Sequence, residues 1–550
     1  MKFFSVIARM RGSASGSRGW AWAVVCVAGL WILGMSVAVH AAPPVTPRPP
    51  NFLLILADDL GYSDLGCYGG EIRTPNLDRL ASRGLRFSQF YNTARCWPTR
   101  AALLTGYYPQ QVRMDPPRGR LPSWARLLPH HLKPLGYRTY HSGKWHVMGA
   151  PRACADGGFD RSYVLEDHDR NFHPRRATED DVALPPVDPA GGYYSTTAIA
   201  DHALRCLRDH AVQHADRPFL TYLAFTVPHF PLQAPPADVA RYADRYGDGW
   251  DAVADTRWRR LGRLGLAPAT RAVRGPWSVP PWNLGTAALV EQIGPGEMGF
   301  APPWETLTGE QRRFQAAKMA VHAAMVDRMD HEIGRVLEQL RQMGVLEDTV
   351  VLFASDNGAS AELLNRGDRH TRDAVAGSPE SFLCLGPGWS GAANTPFSRH
   401  KAWVDEGGIS TPLIVHWPKG IRERGVIRRQ VGHVIDIVPT LVELAGGDPR
   451  QVLPVDAPVL PGRSLAKAWM RDGPVSRESL FFHPEGQRAL RVGDWKIVGR
   501  QPRPDQWALY HLAEDRGETR DLAQEQPERV QWMSAEWERL SARFRADAGD

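Results

Sequence analysis

Cys96 stands in Tyr91-Asn92-Thr93-Ala94-Arg95-Cys96-Trp97-Pro98-Thr99-Arg100, an order of residue types that can do chemistry. Pro98 predicts the first turn of a helix that opens at the cysteine. A helix N-terminus favours an anion and lowers a thiol pKa, which suits residue 96 to nucleophilic work. Arg100 falls one turn along on the same side, where a guanidinium gathers negative charge that develops in a transfer. A thiolate phosphatase separates its cysteine and arginine by more than the three residues found here, so this spacing argues against one.

Oxygen donors form a second group. Asp58-Asp59 ends the apolar run Asn51–Ala57, and Asp356-Asn357 ends the run Thr349–Ser355. Such pairs also cap turns, and Asp-Asn-Gly is a common turn sequence. Their repetition at two strand ends favours a hard cation, calcium or magnesium, over zinc, whose sites prefer histidine and cysteine. Lys144 and His146 lie two apart, so an extended segment would turn both to one side. His229 sits in Pro228-His229-Phe230-Pro231, and Lys401 follows Arg399-His400.

The elements that must position these residues are readable too. Strand-length apolar runs at Asn51–Ala57, Pro218–Phe225, Thr349–Ser355 and Pro412–Trp417 alternate with helical periodicity at Asn76–Arg83, Thr196–Ala211 and Gln311–Met343. Alternation of this kind predicts an α/β sandwich with a large, mostly parallel central sheet flanked by helices. Ligands of such sheets collect beyond the carboxyl ends of the strands, where both carboxylate pairs fall. After a proline-rich connection, strand-like pieces at Leu490–Val498 and Trp507–Tyr510 and a helix over Gln526–Arg545 predict a small C-terminal α+β domain. The expected organisation is 1–41 signal peptide, 42–50 proline-rich linker, 51–465 catalytic domain and 466–550 C-terminal domain with antiparallel strands and terminal helix. Arg241–Trp304, rich in Gly, Pro, Trp and Arg, reads as a surface excursion that shapes a cleft.

Lys2, Arg9, Arg11 and Arg18 precede the uncharged run Trp20–Val39, which ends in small residues near Ala41. This pattern predicts an export signal and a periplasmic or secreted chain with no stable span after cleavage; an uncleaved anchor is the competing reading. Over the 550 residues, 66 basic and 60 acidic side chains mix to a net +6, with no like-charge block for nucleic acid. Cys26 lies in the signal; Cys67, Cys96, Cys154, Cys206 and Cys384 leave an odd number for an oxidising compartment, so at least one has another role.

Cys96-Trp97-Pro98-Thr99-Arg100 followed by Leu104-Thr105-Gly106 resembles the maturation signature of the formylglycine-dependent sulfatases, arylsulfatase-like members of the alkaline phosphatase superfamily. Asp58-Asp59, Gly143-Lys144-Trp145-His146, Pro228–Pro231, Asp356-Asn357-Gly358 and Lys401 with Glu406-Gly407-Gly408 are similar to further family blocks in the same order. The resemblance implies that a formylglycine-generating or radical maturation enzyme converts Cys96 to an aldehyde whose hydrate attacks sulfur. It implies one Ca2+ held by Asp58, Asp59, Asp356, Asn357 and the side chain at 96. It also implies Arg100 and Lys144 as charge stabilisers, His146 as base, and His229 and Lys401 as sulfate-binding residues that protonate the departing oxygen. The expected substrate is a small-molecule or carbohydrate sulfate ester. A phosphonate or phosphate diester hydrolase and a non-catalytic binding protein are the readings kept beside it. A two-zinc phosphatase is disfavoured for want of a histidine-rich ligand set.

Overall fold

The computed structural model describes residues 48–115, 119–273, 275, 279–366 and 369–549. The expected signal peptide and most of the linker lie outside the described residues. Asn51–Asp58 forms strand β1, and all eight of its residues are buried. A strand sends alternate side chains to opposite faces, and β1 feeds two cores: Leu53, Ile55 and Ala57 on one side, Phe52, Leu54 and Leu56 on the other. Burial on both faces is the condition of a parallel sheet covered by helices.

β2 (Leu85–Tyr91), β3 (Arg138–Gly143), β4 (Arg161–Leu165), β5 (Phe219–Pro228), β6 (Thr349–Ser355) and β7 (Ser410–His416) complete the centre of the sheet. They run in the order β2-β7-β6-β1-β5-β3-β4 within eleven strands, the others being pieces of two or three residues. β1 pairs in parallel with β5 and β6, and β3 with β4 and β5. β7 runs antiparallel to β2 and β6, so the sheet is mixed but mostly parallel.

The helices that matter below are α1 (Cys96–Thr105), α2 (Ser195–Gln213), α3 (Gly249–Arg263), α4 (Gly309–Gln342) and α5 (Pro527–Ala548). α4 starts on a capping box in which Thr308 and Gln311 bond each other's backbone N–H at 3.2 and 3.0 Å. Ile199 and Ala203 of α2 and Met319 and Val326 of α4 share the core of Leu53 and Ile55. None of the described helices is long and apolar enough to cross a membrane.

Two expectations are corrected. The piece Leu490–Val498 is two strands, because Gly493 at φ 58° lets the chain reverse. A four-stranded antiparallel sheet results, β8 (Leu480–Phe482), β9 (Arg488–Val492), β10 (Trp495–Gly499) and β11 (Trp507–His511) in that order. α5 lays Trp537 and Phe544 into the same core as Leu490, Ile497 and Leu509. Arg241–Trp304 is not only a surface excursion. It contains α3, and the Trp250 ring meets Trp304 and Trp389 edge-on at 4.8 and 5.7 Å. Large indoles gain from burial and edge-to-face packing what the Gly and Pro content obscured.

Candidate active site

Four strands deliver their carboxyl ends to one place. Ala57 pairs with Ser355 in register, which sets Asp58 of β1 beside Asp356 beyond β6. Asp59 then turns away at φ 66°, a left-handed conformation that Asp tolerates, and its N–H donates to Asp356 Oδ1 at 3.3 Å. Lys144 leaves β3 after Gly143, whose φ is 117° and where a Cβ would lie 1.9 Å from the Ala224 carbonyl oxygen. Only glycine lets β3 pass β5 so closely. His229 follows the last residue of β5, and α1 brings Cys96 at its first residue. The helix is buried along its whole length, and Thr99 Oγ1 accepts from the Thr93 N–H at 3.0 Å, fixing the first turn to the incoming chain.

Opposite charges interlock in this space. Lys144 Nζ donates to Asp58 Oδ2 at 2.6 Å. Arg100 grips Asp356 Oδ2 through Nε at 3.0 Å and Nη2 at 2.8 Å, and its Nη1 donates to the Lys144 carbonyl at 3.0 Å. Lys401 Nζ lies 3.0 Å from both Asp59 Oδ1 and Glu362 Oε2. Asn357 Nδ2 donates to Asp59 Oδ1 at 2.6 Å, and His229 Nε2 stands 3.8 Å from Asp59 Oδ2.

Four buried acids thus face three fixed cations. Burial pushes the Asp59 carboxyl up to about 7 against the pull of Lys401. Burial and the neighbouring Asp58 carry Asp356 well above the usual carboxylate range despite Arg100. Asp58 feels the same burial, but Lys144, Arg100 and Lys401 outweigh it and hold its carboxyl below that range. Burial also opposes ionisation of Cys96, yet Lys144 and Lys401 lower its thiol below the ordinary value. His146 and His229 are held neutral, first by burial and then by the adjacent lysines.

The donor set fits a hard cation. The ligand atoms of Asp58, Asp59 and His229 lie within 4.8 Å of one another, as do those of Asp58, Cys96 and Asp356. Asp58 Oδ1 and Asn357 Oδ1 are buried without a hydrogen-bond partner among the described residues. Buried oxygens left without donors are costly, and a cation that takes oxygen ligands would satisfy both at once.

One geometric expectation is corrected. Lys144 and His146 do not share a face of an extended segment, because the chain leaves the strand at Gly143 and His146 is itself left-handed at φ 48°. Its ring rests 5.8 Å from Trp97 and 5.0 Å from His168. Sequence reasoning passed over two residues. Glu362, pulled down to about 2 because Lys401 outweighs the effect of burial, follows Asp356-Asn357 by a few positions and has no motif of its own. His168 bridges the rings of His146 and His229, and its only sequence signal is the flanking pair Asp167 and Asp169. The five described cysteines are all free thiols, so the odd count does not single out Cys96. Its place at the head of α1 does.

Known proteins share this arrangement of elements. The sulfatase family model matches residues 50–447. An uncharacterized sulfatase of Schizosaccharomyces pombe is 32% identical over 538 residues, covering 89% of this chain and 93% of its own. An arylsulfatase of Klebsiella aerogenes is 33% identical over 450 residues, covering 75% and 90%. Among solved structures, one in complex with k-i-k-neocarrahexaose has a TM-score of 0.63 at 22% identity, over 90% of this chain and 93% of its own. Another, in complex with its substrate D-glucosamine-2-N,6-O-disulfate, has 0.60 at 20% identity, over 91% and 99%. The chain belongs to the sulfatase family, and it is an enzyme that hydrolyses sulfate esters.

Proposed function

We propose that this sulfatase cleaves the sulfate monoester of an aryl or carbohydrate alcohol through residue 96, after a maturation enzyme has oxidised Cys96 to formylglycine and water has added to the aldehyde. One hydroxyl of that hydrate loses its proton to solvent, its oxygen attacks sulfur, and the S–O bond to the alcohol breaks. The alcohol oxygen takes a proton from His229 or Lys401, and the sulfate stays on residue 96. His146 then takes the proton of the second hydroxyl, the aldehyde re-forms, and the C–O bond to sulfate breaks. Water restores the hydrate, so one water is consumed per ester.

The observation that carries this reading is the close approach of the Cys96, Asp58 and Asp356 donor atoms beneath a helix N-terminus. Arg100 and Lys144 supply fixed positive charge where sulfate oxygens gain negative charge. His229 donates Nδ1–H to the Phe230 carbonyl at 2.5 Å, which leaves Nε2 directed at the site. Its ring is neutral while cations surround it; the charge of an arriving sulfate offsets them and favours a proton on Nε2. Asp58, Asp59, Asp356 and Asn357 would hold a calcium ion, whose contribution when bound is Lewis-acid polarisation of sulfate and stabilisation of an ionised nucleophile. The same reading takes residues 1–41 as an export signal, 51–465 as the catalytic domain and 466–550 as the C-terminal domain.

Mass analysis of the tryptic peptide that begins at Cys96 tests this, on protein made with a maturation enzyme and assayed on a chromogenic aryl sulfate. An aldehyde at residue 96, with turnover lost in Cys96→Ala, is the expected result. A thiol at residue 96 in turnover-competent protein would overturn it, and faster cleavage of matched phosphate diesters would reassign the substrate class.

A further inference from the structure

The chain leaving β4 carries Glu166-Asp167-His168-Asp169-Arg170 and then Arg175-Arg176. His168, wedged between the rings of His146 and His229, places this segment at the wall of the active site. Beside it opens a cavity of about 190 Å³ lined by Asp169, Arg170, His173, Arg175, Arg369 and Pro231, among others. Pro231 lies two residues beyond His229, so the cavity and the reaction centre share a wall. Arg366 approaches the same wall: its guanidinium lies 5.4 Å from the centre of the Phe230 ring, which Lys401 Nζ approaches at an equal 5.4 Å.

Among the described residues, positive charge in this region exceeds what the carboxylates offset. Asp169 is shared by Arg366 at 2.7 Å and Arg369 at 2.5 Å. Asp167 takes Arg176 at 2.9 Å and Arg170 only at 3.9 Å, and Glu166 lies 3.8 Å from Arg176. Among the described residues, five guanidiniums, those of Arg170, Arg175, Arg176, Arg366 and Arg369, therefore meet three carboxylates. The Arg175 side chain makes no ion pair among the described residues. Arg170 registers the excess, since partial burial and then Arg369 and Arg175 lower its pKa. Planar guanidiniums brought together around a small polar cavity match the oxygens of a carboxylate or sulfate.

We infer that this cavity is a second anion subsite, taking a sulfate or carboxylate carried by the same substrate molecule whose sulfate ester is cleaved at residue 96. The inference rests on the proposed reaction at residue 96. It assigns the chain to substrates with two anionic groups, such as a multiply sulfated or uronate-containing saccharide, with the second group on the His168 side of the scissile ester.

Three disaccharides of one scaffold test it, bearing one sulfate, two sulfates, or one sulfate and one uronate carboxylate. Their binding to the Cys96→Ala chain is read by calorimetry, and their turnover by the matured enzyme is compared with that of 4-nitrophenyl sulfate. Expected is binding of one or both dianionic sugars about tenfold or more tighter than the monosulfated one. That preference should be lost in Arg170→Ala and Arg175→Ala and partly kept in Arg170→Lys, while kcat/KM for 4-nitrophenyl sulfate stays within about twofold. Which dianionic sugar gains identifies sulfate or carboxylate as the ligand. Equal binding of all three sugars, or an equal loss for every substrate in the arginine variants, overturns the subsite. Failure of the matured enzyme to turn over any sulfate ester counts instead against the reaction at residue 96.

Discussion

Two of the clusters of buried charge in this molecule differ in how their oxygens are used. At the seam between β7 and the C-terminal sheet, Glu406 Oε2 accepts from Tyr91, Ser410 and Arg516 at 2.9, 3.0 and 2.8 Å. Glu406 Oε1 takes Lys496 at 3.1 Å, and Lys496 also reaches Glu518 Oε1 at 2.8 Å, while Glu518 Oε2 accepts the Glu406 N–H at 2.8 Å. Every carboxylate oxygen of Glu406 and Glu518 is satisfied from within the protein. Below α1 the charges are as deeply buried, yet Asp58 Oδ1 and Asn357 Oδ1 have no partner among the described residues. Buried charge that closes on itself fixes a fold; buried charge left incomplete by its own chain is arranged for a ligand.

The contrast can be broken most sharply by removing one residue from each cluster. Cys96→Ala should lower kcat by about ten-thousandfold or more on an aryl sulfate and leave the unfolding midpoint nearly unchanged. Equal losses of stability and rate would erase the distinction. Glu406→Gln should do the reverse, costing about 3–5 kcal/mol in denaturant unfolding because Lys496 and Arg516 lose a shared partner, with kcat retained by molecules that remain folded. Next in size is the metal. Chelation should abolish turnover, and added calcium should restore it and stabilise the protein by about 2.7 kcal/mol at a hundredfold excess over Kd. Neither effect should appear in Asp59→Asn, whose stability in chelator should equal or exceed that of the parent.

The smallest effect is a pH trend at the seam. Burial raises the Glu518 carboxyl from 4.5 to about 7. A folded pKa above the unfolded one means a contribution that is full below pH 4.5 and lost as pH climbs through 7. Glu518→Gln removes that loss, so its melting temperature relative to the parent should be more favourable at pH 8 than at pH 5. A constant offset would show that Glu518 titrates normally.

Much of the reaction centre was legible because local rules govern it. Asp58 and Asp356 end continuous apolar runs, and such runs are strands of a buried sheet whose ends gather ligands. Pro98 after Cys96 marked the head of a helix in the same way. Lys401 could be nominated only by resemblance, since its contact with Asp59 spans 342 positions and a turn sequence holds no record of what it faces. Glu362 and His168 were illegible for that reason. Their partners come from other loops, and nothing in a short window distinguishes them from surface residues. The buried indole cluster around Trp250 was misjudged because composition speaks for backbone punctuation and is silent about which side chains will meet.

The spread of the site along the chain also sets a clock for its synthesis. Residue 96 leaves the ribosome 305 positions before Lys401, and at roughly 5–20 residues per second that is an interval of roughly 15–60 s. Throughout it residues 434–444, against which α1 packs, have not been made, so the thiol that ends only 4% exposed is open to a modifying enzyme. Under the proposed oxidation of residue 96, translation speed, and the codons that set it between positions 96 and 401, become a lever on how much of the product carries an aldehyde.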